Sequence, residues 1–201
     1  MQKHYFILFL LLPLFSCKKD NTGPLANPSS EYFPNSLGDY WKYKYVDSVA
    51  NTSVFVAVNI IGTTVLPGGQ NAKIWTYTFP HHIDTNFVYQ DGNMIKFVST
   101  GLSIRNSYVI PLSLNSQWRA NPDYVYDSIQ VVDNRAYQLN DQNFDNSFLL
   151  SEYGHLPNDY WNKFEWFSPN IGMITKTEKD MYLIAATVST VHWELIEYSL
   201  K

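Results

Sequence analysis

Trp41-Lys42-Tyr43-Lys44-Tyr45 decides the fold class. In an extended chain the three aromatics fall on one face and the two lysines on the other, as in a half-buried antiparallel strand. The same period-2 alternation recurs from Glu31 onward, while the helical i, i+3, i+4 spacing does not persist. Further strands are predicted over Val54–Ile61, Lys73–Phe79, Asn86–Gln90, Met94–Ser99, Ile104–Ile110 and Tyr124–Val132. Others follow over Phe148–Tyr153, Lys163–Phe167, Met173–Lys179, Met181–Thr187 and Val191–Tyr198. Pro67-Gly68-Gly69 and Asp91-Gly92-Asn93 read as turns, the second closing a tight hairpin between Gln90 and Met94. The predicted class is all-β: an antiparallel, strongly curved sheet, half-barrel or barrel-like, with little helix. A sandwich stays open at this point, because strand lengths alone do not separate these architectures.

An internal echo supports the strand boundaries. Phe33-Pro34-Asn35-Ser36-Leu37-Gly38-Asp39-Tyr40-Trp41 parallels Ile110-Pro111-Leu112-Ser113-Leu114-Asn115-Ser116-Gln117-Trp118. In each, Pro ends the preceding element, Gly38 or Asn115 supplies a residue able to take positive φ, and a Trp enters the core as the next strand begins. The repeat reads as structural.

Composition narrows the function classes. The 201 residues are 45% hydrophobic, 16% aromatic and only 16% charged, which suits one folded domain. A net charge of -4 leaves no basic excess for phosphate backbones, so nucleic acid is not an expected partner. A single cysteine excludes an intramolecular disulfide framework and a thiolate zinc cluster.

The first thirty residues read as an address. Residues 1–16 carry one charge, Lys3, and an apolar run from Tyr5 to Phe15, too short for the ~20 residues that span a bilayer. This is the pattern of a secretory signal peptide. Leu14-Phe15-Ser16-Cys17 resembles the bacterial lipobox, which implies cleavage before Cys17, a diacylglyceryl thioether on its sulfur and a further acyl chain, palmitate-like, on its amino group. Each buried methylene contributes ~0.8 kcal/mol, so such chains together anchor a protein that does not span the membrane. Lysine rather than aspartate follows Cys17, unlike the inner-membrane retention signal, so the expected location is the cell envelope at the outer membrane, on either face. Residues 17–30 form a lipidated Cys and a Pro-, Gly-, Asn- and Ser-rich tether. Its thirteen residues after Cys17 reach ~45 Å fully extended. Residues 31–201 are predicted to be a single antiparallel β domain. Removing residues 1–16 takes away only Lys3 and moves the net charge to -5.

The chain also resembles a broad group of small, mostly uncharacterised lipoproteins of Gram-negative bacteria. These open with Y-F-P-x-x-x-G-x-x-W-x-Y, here Tyr32 to Tyr43. They carry an aromatic-x-P-x-x-G segment near the end, here Phe167-Ser168-Pro169-Asn170-Ile171-Gly172, and finish on a strand like Trp193 to Tyr198. Their central V-P-A-G-x-F is here Leu139-Asn140-Asp141-Gln142-Asn143-Phe144, with only the Phe retained. The resemblance implies an antiparallel half-barrel or barrel and carries no known activity.

The search for chemistry yields short patterns. Asp141, Asn143, Asp145 and Glu152 stand at positions 1, 3, 5 and 12 of a calcium-loop spacing. Asn146 replaces the bending Gly, and the flanks read as strands rather than helices, so a solvated acidic loop is the favoured reading and no metal or cofactor is expected. Of His81-His82-Ile83-Asp84, only His82 and Asp84 share a strand face, and two ligands do not make a metal site. No nucleophile elbow, S-x-x-K, H-E-x-x-H or phosphate loop is present. Glu152, Asp159 and Glu165 are the candidates for a glycosidase-like carboxylate pair, which needs ~5–9.5 Å separation, with surface acids as the plainer reading. Trp41, Trp75, Trp118, Trp166 and Trp193 fit core positions. Tyr160 and Trp161, in the polar segment Pro157–Asn162, are the candidates for an exposed ligand contact.

The resulting expectation is a non-catalytic, membrane-anchored envelope protein that binds an apolar or amphipathic ligand or a protein partner. The alternative is a surface glycan-binding accessory protein.

Overall fold

The computed structural model describes residues 32–121, 126–182 and 187–201. Residues 1–31, including Cys17 and its tether, lie outside the described residues, as do Tyr124 and Val125 of one predicted strand and residues 183–186 of another.

Twelve strands follow one another along the chain. They are β1 (Tyr40–Asp47), β2 (Thr52–Val65), β3 (Asn71–Thr78), β4 (Ile83–Asp91), β5 (Met94–Ser99) and β6 (Ile104–Val109). The second half supplies β7 (Gln117–Trp118), β8 (Asp127–Leu139), β9 (Gln142–Leu156), β10 (Asp159–Ser168), β11 (Gly172–Tyr182) and β12 (Thr187–Ser199). All pair antiparallel in one sheet of order β6-β5-β4-β3-β2-β1-β12-β11-β10-β9-β8-β7, and helix is essentially absent among the described residues. The first and last strands of the chain's two halves meet where β1 pairs with β12.

The sheet curls into a nearly closed barrel, and a few hydrogen bonds stitch its two edges. The Asn106 amide on β6 donates to the Ala120 carbonyl just past β7 at 2.7 Å. The Asn106 side chain donates to the Arg119 carbonyl at 3.1 Å, and the Trp118 indole donates to the Asn106 carbonyl at 3.1 Å. Near-closure leaves little unpaired edge for another chain to extend.

Inward alternation fills one end of the barrel. Trp41, Val56, Val58, Ile60, Trp75, Val88, Ile95, Tyr108, Val131, Leu150, Phe167 and Ile174 are buried together around Phe33. Phe33 enters from the segment before β1 and stacks on Trp75 and Phe167, with ring centroids 5.8 and 6.1 Å away. The two short motifs behind the lipoprotein resemblance meet at this floor. The Trp41 indole donates to the Ile171 carbonyl at 2.7 Å, the Asn170 amide donates to the Tyr32 carbonyl at 3.0 Å, and Gly172, at φ 99°, lies against Pro34 and Trp41. A side chain at Gly172 would be strained there. The echoed turns also behave as their residues predict, with Gly38 at φ 88° and Asn115 at φ 67°, and Trp41 and Trp118 both buried.

Two stretches depart from the sequence expectation. Of the predicted strand Met181–Thr187, Met181 and Tyr182 end β11 and Thr187 begins β12, with residues 183–186 outside the described residues. Asp180 faces inward and so does not interrupt β11. The predicted Phe148–Tyr153 strand is the middle of the long β9, which pairs with β8 in a hairpin turned at Asn140 (φ 53°). The far part of this hairpin covers the outside of the barrel. Tyr137 stacks on Trp166 at 4.6 Å, and the Asn140 side chain donates to the Glu194 carboxylate at 3.2 Å.

Candidate functional site

Above Phe33 and Pro34, which line its bottom, the barrel is not filled. A cavity of about 620 Å³ opens there, within the ~300–1,000 Å³ of sites for single small ligands. Trp41, Tyr43, Trp75, Phe79, Phe97 and Trp193 form much of its aromatic wall. The opposite wall is charged, because β6, β8, β9, β10 and β11 turn ionisable side chains inward.

Register explains this wall. Lys163 and Glu165 are two apart on β10 and share a face, as do Lys176 and Glu178 on β11. Antiparallel pairing then sets Lys163 opposite Glu178 and Glu165 opposite Lys176, while β9 brings Glu152 opposite Lys163 on the other side. The Lys163 ammonium lies 3.4 Å from Glu152 and 3.4 Å from Glu165. Arg105 reaches across from β6 to ion-pair with Glu152, and the Tyr108 hydroxyl donates to Glu165. Lys176 holds Glu178 at 2.9 Å and sits 4.8 Å from the Trp193 ring centroid, a cation–π distance.

These contacts set protonation. Burial alone would raise the Glu152 carboxyl, but Lys163 and Arg105 outweigh it and hold it below its ordinary value. Burial is likewise outweighed at Glu178, where Lys176 and Lys163 pull the carboxyl down to about 2. Burial lifts the Tyr108 phenol well above its ordinary value, with Glu165 adding to the shift. Asp127 differs from the other acids. It is 4% exposed and makes no ion pair, and its Oδ1 has no hydrogen-bond partner. Burial, reinforced by Glu152, pushes its carboxyl up to about 6 against the partial relief of Arg105, Lys163 and the Asn121 backbone.

The structure sorts the sequence candidates. Glu152 and Glu165 do come together, bridged by Lys163, while Asp159 stands apart at the start of β10, paired with Leu156. A glycosidase pair flanks the scissile bond, whereas here the Lys163 ammonium is the group that lies between Glu152 and Glu165. The calcium-loop spacing is not realised. Asp141 sits at the hairpin turn, and Asn143 and Asp145 are exposed on β9, the Asn143 side chain donating to Asp145 at 2.8 Å. Glu152 lies seven residues further along the strand, about 20 Å away. Asn146 does take positive φ (53°), in a β-bulge rather than a ligand loop. His82 and Asp84 approach to 3.5 Å, with His82 stacked on Phe79, and no group of three or more metal-ligating side chains occurs among the described residues.

Tyr160 and Trp161 prove to be strand neighbours on β10 rather than one exposed platform. Tyr160 is exposed, but Trp161 is half-buried and lines the cavity. Its ring lies over Gly154 on β9 so closely that any side chain at Gly154 would overlap it. Outside, Tyr160 joins an aromatic group that the sequence reading missed: Tyr126 stacks on His155 at 4.4 Å, and Tyr160 lies 5.7 Å from the same ring. Trp41, Trp75, Trp118, Trp166 and Trp193 are buried as expected. The paired K-x-E triplets, Lys163-Phe164-Glu165 and Lys176-Thr177-Glu178, were the sequence signal for the charged wall.

Comparison with known proteins places the architecture. The chain is similar to a protein from Bacteroides fragilis NCTC 9343 described as exported and as having a YmcC-like fold, at 12% identity, covering 84% of this chain and 98% of that one, with a TM-score of 0.50. A protein from Parabacteroides distasonis ATCC 8503 described as a lipoprotein aligns at 14% identity over 83% and 97% of the two chains, with a TM-score of 0.47. No family model matches the sequence, and no curated protein matches it. The likeness to the Bacteroides fragilis protein shows a shared fold.

Proposed function

We propose that the protein is a lipid-anchored envelope protein, without catalytic activity, whose barrel takes a small amphipathic ligand into its open end. The observation that carries the reading is the cavity: about 620 Å³, aromatic on one wall and charged on the other, in a barrel whose opposite end is solidly packed. A core free to close would gain by filling such a volume, since unfilled apolar space costs stability. The charged groups are tied to one another or held ionised, an arrangement suited to orienting a bound molecule. Anchoring rests on the signal-like residues 1–16 and on Cys17 in its lipobox context. The Bacteroides fragilis protein that shares the fold is itself described as exported.

The test is a titration of the full chain with decanol, a neutral amphiphile, following tryptophan fluorescence. Saturation at one molecule per chain is expected, lost when Ser107→Phe places a ring in the cavity it lines. No saturation, or an unchanged response in Ser107→Phe, overturns the cavity reading.

A second reading has its own observation. The exposed group of Tyr126, Tyr153, His155 and Tyr160 at the outer end of β8–β10 offers stacking faces of the kind that sugar rings use. This is the glycan-binding alternative, now centred on Tyr126 and Tyr160 instead of Trp161. Glycan retention lost in Tyr126→Ala and kept in Ser107→Phe would select it.

A further inference from the structure

Resting on the cavity reading above, we infer that the ligand carries a positive charge and that its ammonium group seats on Asp127 against the face of Trp161. Arg105, Lys176, Asp127, Glu165 and Glu178 line the cavity on this wall, with Lys163 and Glu152 behind them in the same ion-pair network, while Asp84, which also lines the cavity, is exposed and lies 3.5 Å from His82. Every cation is committed: Arg105 to Glu152, Lys163 to Glu152 and Glu165, and Lys176 to Glu178. Among the described residues Asp127 is the buried acid of this wall that no cation holds in an ion pair. Asp127 lines the cavity, the Asn121 backbone hydrogen-bonds its carboxylate, and its Oδ1 stays buried with no hydrogen-bond partner, a state that costs free energy in general. A group in that state is satisfied by a cation that arrives from outside.

The neighbouring geometry favours an organic cation. Asp127 pairs with Gly154, Gly154 pairs with Trp161, and Trp161 pairs with Asp180, so one cross-strand row reads Asp127, Gly154, Trp161, Asp180. Because Gly154 has no side chain, the Trp161 indole lies over it and fills the position between β10 and Asp127's strand. An indole face flanked by carboxylates attracts an ammonium by cation–π and Coulomb terms together. Asp180, whose carboxyl is raised by burial and by Glu178, Asp159 and Glu152, adds negative potential at the same end. Behind this row lies the aromatic wall of Phe79, Trp75 and Trp193, which takes an apolar tail. The volume suits a single-chain or compact amphiphilic amine rather than a two-chain lipid.

The test uses matched monomeric probes on the full chain, decyltrimethylammonium, decanol and decanoate, each below its aggregation concentration. Wild type is expected to bind the cation at least tenfold more tightly than decanol, and decanoate more weakly than either. Asp127→Asn keeps size and shape, and should cost the cation about tenfold while leaving decanol unchanged. Trp161→Leu should also reduce the preference for the cation without changing any charge. Decanol binding with no advantage for the cation, or an advantage that survives Asp127→Asn, overturns this inference and leaves the cavity reading standing. Failure of all three probes overturns both. A thermal-unfolding scan of each variant verifies that it is folded when its affinity is read.

Discussion

At the scale of single residues, Asp127 is held in an environment that its charged form does not favour. Its carboxyl stands at about 6 in the folded protein against 3.8 ordinarily. Between those values the folded state binds the proton more readily, so this group's contribution to stability falls as pH rises from 3.8 to 6 and stays reduced above. Asp127→Asn removes that dependence. Urea unfolding of variant and wild type at pH 4 and pH 8 should show the variant gaining by about 1–2 kcal/mol between the two conditions. A difference that does not change with pH would mean that the carboxylate is not strained. For the proposed cation the same titration is expected to govern binding: Glu152 raises the Asp127 carboxyl further, Arg105 and Lys163 lower it, and cation affinity should fade as pH drops below about 6. Proteins accept local cost where a group is kept for use.

At the scale of the strand, Lys163 on β10 is the centre of the charged wall. Its ammonium lies 3.4 Å from each of Glu152 and Glu165, which are almost fully buried. Lys163→Met leaves Glu165 with the Tyr108 hydroxyl alone and Glu152 with Arg105 alone, and breaking a buried pair costs ~3–5 kcal/mol. Adding Glu152→Gln to that variant should return part of the loss, as read from the midpoint of urea unfolding. Equal stability of wild type and Lys163→Met would sink the network as a structural element. Acid acts on the same strands: Glu178 at about 2 and the lowered Glu152 contribute stability present above about 4.5 and lost as pH falls toward 2. The strand β1 was legible because Trp41, Tyr43 and Tyr45 face inward and the lysines face out, as the pattern rule assumes. On β10 the rule inverts. Trp161, Lys163 and Glu165 face the interior while Tyr160 and Phe164 are exposed, so polar residues that read as a solvent face line the site instead. The β8–β9 hairpin hid for a different reason. Bulges at Val131/Asp133 and Arg135/Tyr137 shift its register, and its outer half packs on Trp166 rather than on the barrel interior, which breaks simple alternation.

At the scale of the whole molecule, the barrel has a closed floor and an open mouth, and the chain arrives at the floor. Tyr32 accepts hydrogen bonds there from the Leu112 and Asn170 amides, through its hydroxyl and its carbonyl, and Phe33 plugs the core. The mouth, with Asp127, Trp161 and Glu178, opens at the other end of the strands. In the proposed anchoring, Cys17 attaches through the closed end, and a tether reaching ~45 Å lets the mouth stand clear of the headgroups. The net charge of -5 on the chain after residue 16 favours the same separation from an anionic surface. Anchoring and ligand capture are thus separable properties, which makes the address testable without disturbing the site. Cells fed a radiolabelled fatty acid should incorporate label into the wild-type chain and none into Cys17→Ala, while decanol titration of the two purified chains gives the same affinity. Equal label in both chains would overturn the lipid anchor. A loss of decanol binding in Cys17→Ala would instead tie the site to the anchor, against the separation that the barrel's two ends predict.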